Sequence, residues 1–330
     1  MGTVLAIGRP LLDLQFERGD PATRALKRAL PRDGSILDDG ALLSWAETDR
    51  VAQLLRRDPR FKHGVLGGGA YNTLRLLAQL GTDCGYCGAV GRDAGGRAFH
   101  SELHNLGALD YTAVLPSLPT GFCVRIAEYA SVVGLGAAGR LSSRHLPLGA
   151  LQSAELLYLE GFLLPHRDLI ECLLARVVRG SKTPAVWVDL GSPHAVQAAP
   201  DAALELLADH AEVVLGTAAE WRALARHPSV RDSILERGAL CCEKHGPDGA
   251  VLRRYTLEIT ENAPKAAVRD ATGAGDILAA VLVAMMGPCP SPETSHLRRA
   301  LRTAVQAASA SVSCRGGRLE SGDRVRLLGR

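Results

Sequence analysis

Short apolar runs alternate with amphipathic stretches along most of this chain, and no other feature narrows the fold as far. Runs at 4–8, 84–90, 123–127, 156–159, 185–190, 212–216 and 250–255 read as strands. Stretches at 70–80, 94–106, 167–178, 201–209, 218–226, 273–286 and 295–313 carry helical spacing. In the last of them Leu297, Ala300, Leu301, Ala304, Val305 and Ala308 share one face. Strands separated by helices of this length call for right-handed βαβ crossovers, hence an α/β fold with a mostly parallel sheet. In such sheets ligands sit beyond the carboxyl ends of the strands. Residues 13–63 and 108–133 break the alternation with mixed Pro, Gly and charge. They are expected to form a small lid within a single domain over residues 1–330.

Composition removes several function classes. With 330 residues, 47% of them hydrophobic, the chain can bury a full core without disulfides. The net charge is +3 and the 38 basic residues are dispersed, so no nucleic-acid partner is expected. The apolar stretch 277–287 is too short to span a bilayer, and the first six residues lack the basic start and cleavage site of a signal peptide. No membrane partner is expected, and the cytoplasm is the expected location. Of the eight cysteines only Cys84 and Cys87 have redox or zinc spacing, with no second pair to complete a site. They read as strand thiols in a reducing compartment. Glycine is in excess, at 35 residues, while aromatics are only 4%. That combination suggests many close backbone approaches.

Three segments carry chemistry. In Asp270-Ala271-Thr272-Gly273-Ala274-Gly275-Asp276, small residues precede an apolar helix. The first N–H groups of a helix lack intrahelical acceptors and its dipole adds positive potential, so this loop can hold an anion. Asp276 beside it can accept a proton from an attacking hydroxyl. The plain alternative is a helix cap. In Gly67-Gly68-Gly69-Ala70-Tyr71-Asn72, a triglycine before a helix lets a ligand approach, and Asn72 offers both donor and acceptor. A flexible hinge explains the triglycine equally well. Asp13, in Gly8-Arg9-Pro10-Leu11-Leu12-Asp13, lies just past the first strand, where sugar hydroxyls can be bound. Alone it reads as a surface acid.

Two nucleotide motifs are set aside. Gly134-Leu135-Gly136-Ala137-Ala138-Gly139 matches GxGxxG, but Ser142, Ser143 and Pro147 interrupt the helix a dinucleotide site needs. A Walker A sequence is absent.

In this order the pieces resemble the ribokinase-like (PfkB) family of carbohydrate and nucleoside kinases over nearly the whole chain. Gly67-Gly68 with Asn72 resembles the family's N-terminal GGxxxN motif, and residues 270–276 resemble its C-terminal motif, with Ala271 where Thr or Ser is usual. Pro119-Thr120-Gly121 resembles the start of a lid strand, and Leu159-Glu160-Gly161 and Val188-Asp189-Leu190 resemble later strand ends. Lys244-His245-Gly246-Pro247-Asp248-Gly249-Ala250 looks like the hairpin on the nucleotide side. The opening segment and Leu135-Gly136-Ala137-Ala138 look most like the adenosine kinase branch. The resemblance implies a three-layer α/β/α sheet with a small β-sheet lid. It implies ATP and Mg²⁺ as cofactors and leaves room for a monovalent cation such as K⁺. It makes Asp276 the catalytic base and Gly273, Ala274 and Gly275 the anion hole. Asp13, Gly67, Gly68 and Asn72 would bind substrate, and Thr272, Gly246 and Gly316 would bind ATP. Glu220 would reach the metal through water.

The family's NxxE element stands here as Thr217-Ala218-Ala219-Glu220, and Ala130 occupies the position where many members carry a phosphate-facing Arg. Arg125 and Arg140 are the replacements to look for. The expected reaction is transfer of the γ-phosphate of ATP to a primary hydroxyl of an adenosine-like nucleoside or a sugar. The alternatives are a free-sugar kinase of the ribose or fructose type and a degenerate member that binds ligand without efficient transfer. The partner is a small molecule, and the chain is a monomer or a homodimer.

Overall fold

The apolar runs become strands whose central members expose nothing. The structure, a computed structural model, describes residues 3–16, 26, 41–55, 65–126, 131–179, 183–314 and 318–319. Gly316 and Ala130 therefore lie outside the described residues, as does much of the expected lid segment 13–63. The chain divides into two compact units, one made of Met1–Gly8, Gly69–Tyr86 and Ser142–Arg330, the other of Arg9–Gly68 and Cys87–Leu141.

The first unit carries the large sheet. In chain order the elements that frame it include β1 (Val4–Ile7), α1 (Gly69–Gln79), β2 (Cys84–Cys87), β3 (Leu156–Glu160), α2 (Arg167–Arg179), β4 (Ala185–Asp189), β5 (Ala211–Thr217), α3 (Ala218–Leu224), β6 (Leu240–Lys244), β7 (Ala250–Arg254), β8 (Leu257–Glu261), α4 (Ala274–Met286) and α5 (Thr294–Ser311). In space these eight strands, part of a nine-stranded sheet, run β8-β7-β6-β5-β4-β3-β1-β2. β1 through β6 pair in parallel where β1 meets β3, β3 meets β4, β4 meets β5 and β5 meets β6; β7 and β8 close the edge as antiparallel hairpins. All five residues of β3 and of β4 are buried, which requires helices on both faces of the sheet. This is the three-layer α/β/α architecture.

Register sets the site. Glu160, last in β3, pairs with Asp189, last in β4, and Thr217, last in β5, pairs with Lys244, last in β6. Two acids and a base thus stand along one carboxyl edge.

The helices follow from their patterns. In α5 the stripe Leu297, Ala300, Leu301, Ala304 and Val305 is buried as its spacing predicts, and the helix packs on α4 and over β7 and β8. In α4 the run from Ile277 to Val283 is buried throughout, because the helix is wedged between α1 and α5. Gly8 follows β1 with no space for a side chain: a methyl there would lie 2.5 Å from both Ala70 Cβ and Glu160 Oε2. Gly8→Ala is expected to cost about 1–3 kcal/mol through overpacking, read as a lower urea midpoint with an unchanged slope.

The second unit holds a smaller sheet in the order Ala41–Leu42, Ser131–Gly134, Gly121–Ile126, Leu11–Phe16, Val65–Gly67. Strand Leu11–Phe16 corrects the sequence reading of Asp13. This residue does not trail β1; it lies inside a second strand, paired with Val65 on one side and Cys123 on the other. The alternation of buried Leu12, Leu14 and Phe16 with more exposed Asp13 and Gln15 is the signal that marks it. Asp93 caps helix Ala94–Asn105 through the Gly96 N–H, at 2.9 Å, and also accepts from the Thr120 N–H and hydroxyl at 2.8 and 2.6 Å. Gly91-Arg92-Asp93 and Pro119-Thr120-Gly121 are therefore two sides of one clamp.

Other expectations are refined. The strand expected over 84–90 breaks at Gly88 into Cys84–Cys87 and Ala89–Val90. The helix expected over 201–209 is α-helical only over Asp201–Glu205 and continues as a wider turn, Leu206–His210. The GxGxxG segment ends a strand and enters a short 3-10 helix, Gly136–Arg140, so no long helix receives a pyrophosphate. All eight cysteines are free, and burial pushes the Cys84 and Cys87 thiols up to about 12, which makes them inert.

Candidate active site

Helix α4 begins at a backbone turn that only glycine adopts readily. Gly273, its N-cap, has φ of 77°, in the left-handed region. The turn before it is held by the Asp270 carboxylate, which accepts the Thr272 N–H at 3.0 Å, and by the Arg269 and Asp270 N–H groups, which donate to the Val312 carbonyl at the end of α5. Ala274, Gly275 and Asp276 form the first turn, where N–H groups have no partner one turn back. The Ala274 N–H makes a long 3.3 Å bond to the Ala271 carbonyl. The potential at this end favours an anion.

Asp276 is partly buried in that turn, and Asn72 of α1 donates to its Oδ2 at 2.8 Å. Thr73 Oγ1 lies 3.3 Å from the Asp276 carbonyl and 3.4 Å from the Tyr158 hydroxyl, which donates to Asp189 at 3.4 Å. Burial pushes the Asp276 carboxyl up to about 8. The Asn72 bond and Lys244 pull it down, while Asp189 and Glu160 push it further up. A carboxyl held near neutral pH suits proton transfer.

Around it stand groups carried by strand ends and by the first turn of α3. Glu160 accepts the Ala70 N–H at 2.9 Å, at the start of α1. Lys244 donates to both oxygens of Asp189, at 2.9 and 2.7 Å. Glu220 accepts the Thr217 N–H at 2.7 Å while the Thr217 hydroxyl accepts the Glu220 N–H at 3.4 Å, a reciprocal cap on α3. Threonine at this position thus has a structural task, and burial raises the Glu220 carboxyl above its ordinary range.

Of the site residues expected from sequence, Asn72, Gly273, Ala274, Gly275 and Asp276 come together around α4, with Thr272 one residue before its cap. Glu220 and Asp276 both act on Lys244. Gly246 sits in the β6–β7 hairpin, two residues beyond Lys244. Asp13, Gly67 and Gly68 come together in the second unit, where the Asp13 carboxylate occupies the space a Gly67 side chain would need. Gly316 lies outside the described residues. Sequence reading assigned no role to Glu160, Asp189, Lys244, Tyr158 or Thr73, because only strand register and helix docking bring them to Asp276.

Among the described residues no cluster of three or more His, Cys, Asp or Glu is placed to hold a metal ion. Mg²⁺ is commonly carried by substrate phosphates with one or two carboxylates, often through water. The donor set fits that mode, with Glu220 as a carboxylate within the site, and does not fit a cage built by protein alone.

A carboxylate in the first turn of a glycine-opened helix, at the carboxyl edge of a parallel sheet, can hold an anion beside a proton acceptor. The sequence model of the pfkB family carbohydrate kinases matches residues 46–322, and the chain belongs to that family. No curated protein matches the chain. Among solved structures it is similar to adenosine kinase from Sinorhizobium meliloti, with a TM-score of 0.77 and 22% identity over 98% of each chain. A probable sugar kinase from Rhizobium etli CFN 42 gives 0.76 and 19%, over 98% of this chain and 97% of that one. A putative ribokinase II from E. coli, solved with ATP and Mg²⁺, gives 0.70 and 18%, over 96% and 94%. No helix among the described residues is long and apolar enough to cross a membrane.

Proposed function

We propose that the protein is an ATP-dependent kinase that phosphorylates a primary hydroxyl on a sugar ring, free or within a nucleoside, with Asp276 as the base. The observation that carries this reading is the Asp276 carboxylate, oriented by Asn72 and set in the first turn of α4. Asp276 takes the proton from the acceptor hydroxyl as its oxygen bonds to the γ-phosphorus. The bond from the γ-phosphorus to the bridging oxygen breaks, and its electron pair leaves with ADP. The first-turn N–H groups hold the phosphoryl oxygens, where charge stabilisation does most of the catalytic work in this class. Mg²⁺, when bound, would neutralise phosphate charge, and Glu220 would hold its water shell.

The test is an ATP and Mg²⁺ assay with nucleosides, ribose, fructose and fructose phosphates, repeated with K⁺ replaced by an inert cation. Acceptor-dependent ADP release above the acceptor-free rate is expected for a free sugar or a nucleoside. Ligand binding by calorimetry without turnover on any acceptor refutes the kinase reading and favours the degenerate member.

A further inference from the structure

Lys244 has no task in the reaction as described so far, yet it occupies its most charged position. It closes β6 with its side chain 12% exposed, and Asp189, 11% exposed, receives two of its three N–H groups. A methyl placed on Gly275 would lie 3.4 Å from Nζ, so the ammonium stands directly beside the first turn of α4. Asp189, Glu220 and Asp276 all act on it.

Two physical arguments turn this geometry into a role. A buried ion pair is weak evidence for stability, since well-packed apolar residues often serve as well or better. Folding alone gives little reason for an ammonium here. The second argument is charge. Asp189, Glu160 and Lys244 all act on Asp276, so one cation faces several carboxylates. A γ-phosphoryl group approaching Asp276 meets that negative field, against which a helix N-terminus offers only about half a unit charge. Nor does Arg140, a replacement suggested by the sequence, stand free for the phosphate: its guanidinium lies over the Trp45 ring at 4.2 Å.

We propose that Lys244 is a catalytic residue that binds the γ-phosphoryl oxygens through its third N–H group, with Asp189 as the positioning residue that holds the ammonium in place between turnovers. The inference rests on the kinase reading above. Lys244 remains an ammonium throughout: the acceptor proton goes to Asp276 and the electron pair of the broken bond goes to ADP. Lysine meets this need as a point charge on an extended stem.

The test compares Lys244→Met, Lys244→Arg and the double variant Lys244→Met/Asp189→Asn, which removes the paired carboxylate together with the ammonium. Turnover in Lys244→Met and in the double variant is expected to fall by about 10²–10³, the cost of losing one transition-state donor, with acceptor KM nearly unchanged. Calorimetry is expected to show ATP bound about tenfold more weakly, with ADP affinity changed far less, because the contact is to the γ-phosphate. Lys244→Arg is expected to recover part of the ATP preference. Native-like turnover in the folded double variant overturns the proposal, as does equal loss of ATP and ADP affinity, which marks a structural residue. If the native protein phosphorylates nothing on the acceptor panel, the kinase reading fails, and the ATP-to-ADP comparison still decides the contact of Lys244 with the γ-phosphate.

Discussion

Asp276→Asn is expected to lose about 10²–10⁴ in turnover, the contribution of a positioned general base, while still binding ATP and folding at least as stably as the native chain above pH 8. The two halves of this expectation have one cause. Burial makes the carboxylate costly to ionise, and the same cost makes it a base that works near neutral pH. The amide keeps the shape and can still pack against Asn72, but it cannot accept a proton. A site residue whose removal stabilises the fold is an instance of stability yielded to activity. Steady-state kinetics, ATP calorimetry and urea denaturation at pH 9 check it. Turnover within about tenfold of native, or a clear loss of stability at pH 9, counts against Asp276 as the base.

The second large effect is in pH. The Asp276 carboxyl stands at about 8 in the fold against an ordinary value of 3.8. The base is competent only when ionised, so kcat/KM is expected to rise about tenfold per unit below this value and to level off above it. Stability runs the other way. Between the unfolded and folded values the native state binds more protons than the unfolded chain, so this residue lowers stability progressively as pH rises from about 4 to about 8. Below that window it has no effect, and above it the penalty is complete. The stability gap between Asp276→Asn and the native chain should therefore open with pH across the window and stay constant beyond it. Asn72→Leu removes the bond that favours the ionised form, so it should move the kinetic limb upward. A flat kcat/KM between pH 6 and 9 contradicts the assignment.

What was legible in the sequence is what the backbone demands locally. Gly273 is favoured by a positive φ, and the apolar run after it by a helix buried on all sides. Each leaves a residue-level trace within a few positions. Leu11–Phe16 also left its trace, a period of two, but a six-residue strand next to Pro10 is easily taken for a loop. The hairpin Lys244 to Ala250 was visible through its turn residues, whereas the weight of Lys244 itself was not.

The sequence by itself determined the α/β class, the parallel sheet, the helix that opens on Gly273 and the acid that opens its first turn, because periodicity and turn chemistry act over short distances. Only the tertiary structure decided what that acid is. Asn72, 204 residues away, orients it, and the Lys244–Asp189 pair, whose members are 55 residues apart, sets the charge around it. A carboxyl's affinity for a proton depends on its burial and on charges a few ångströms away. Here those charges arrive on strand ends that are aligned only when the sheet forms.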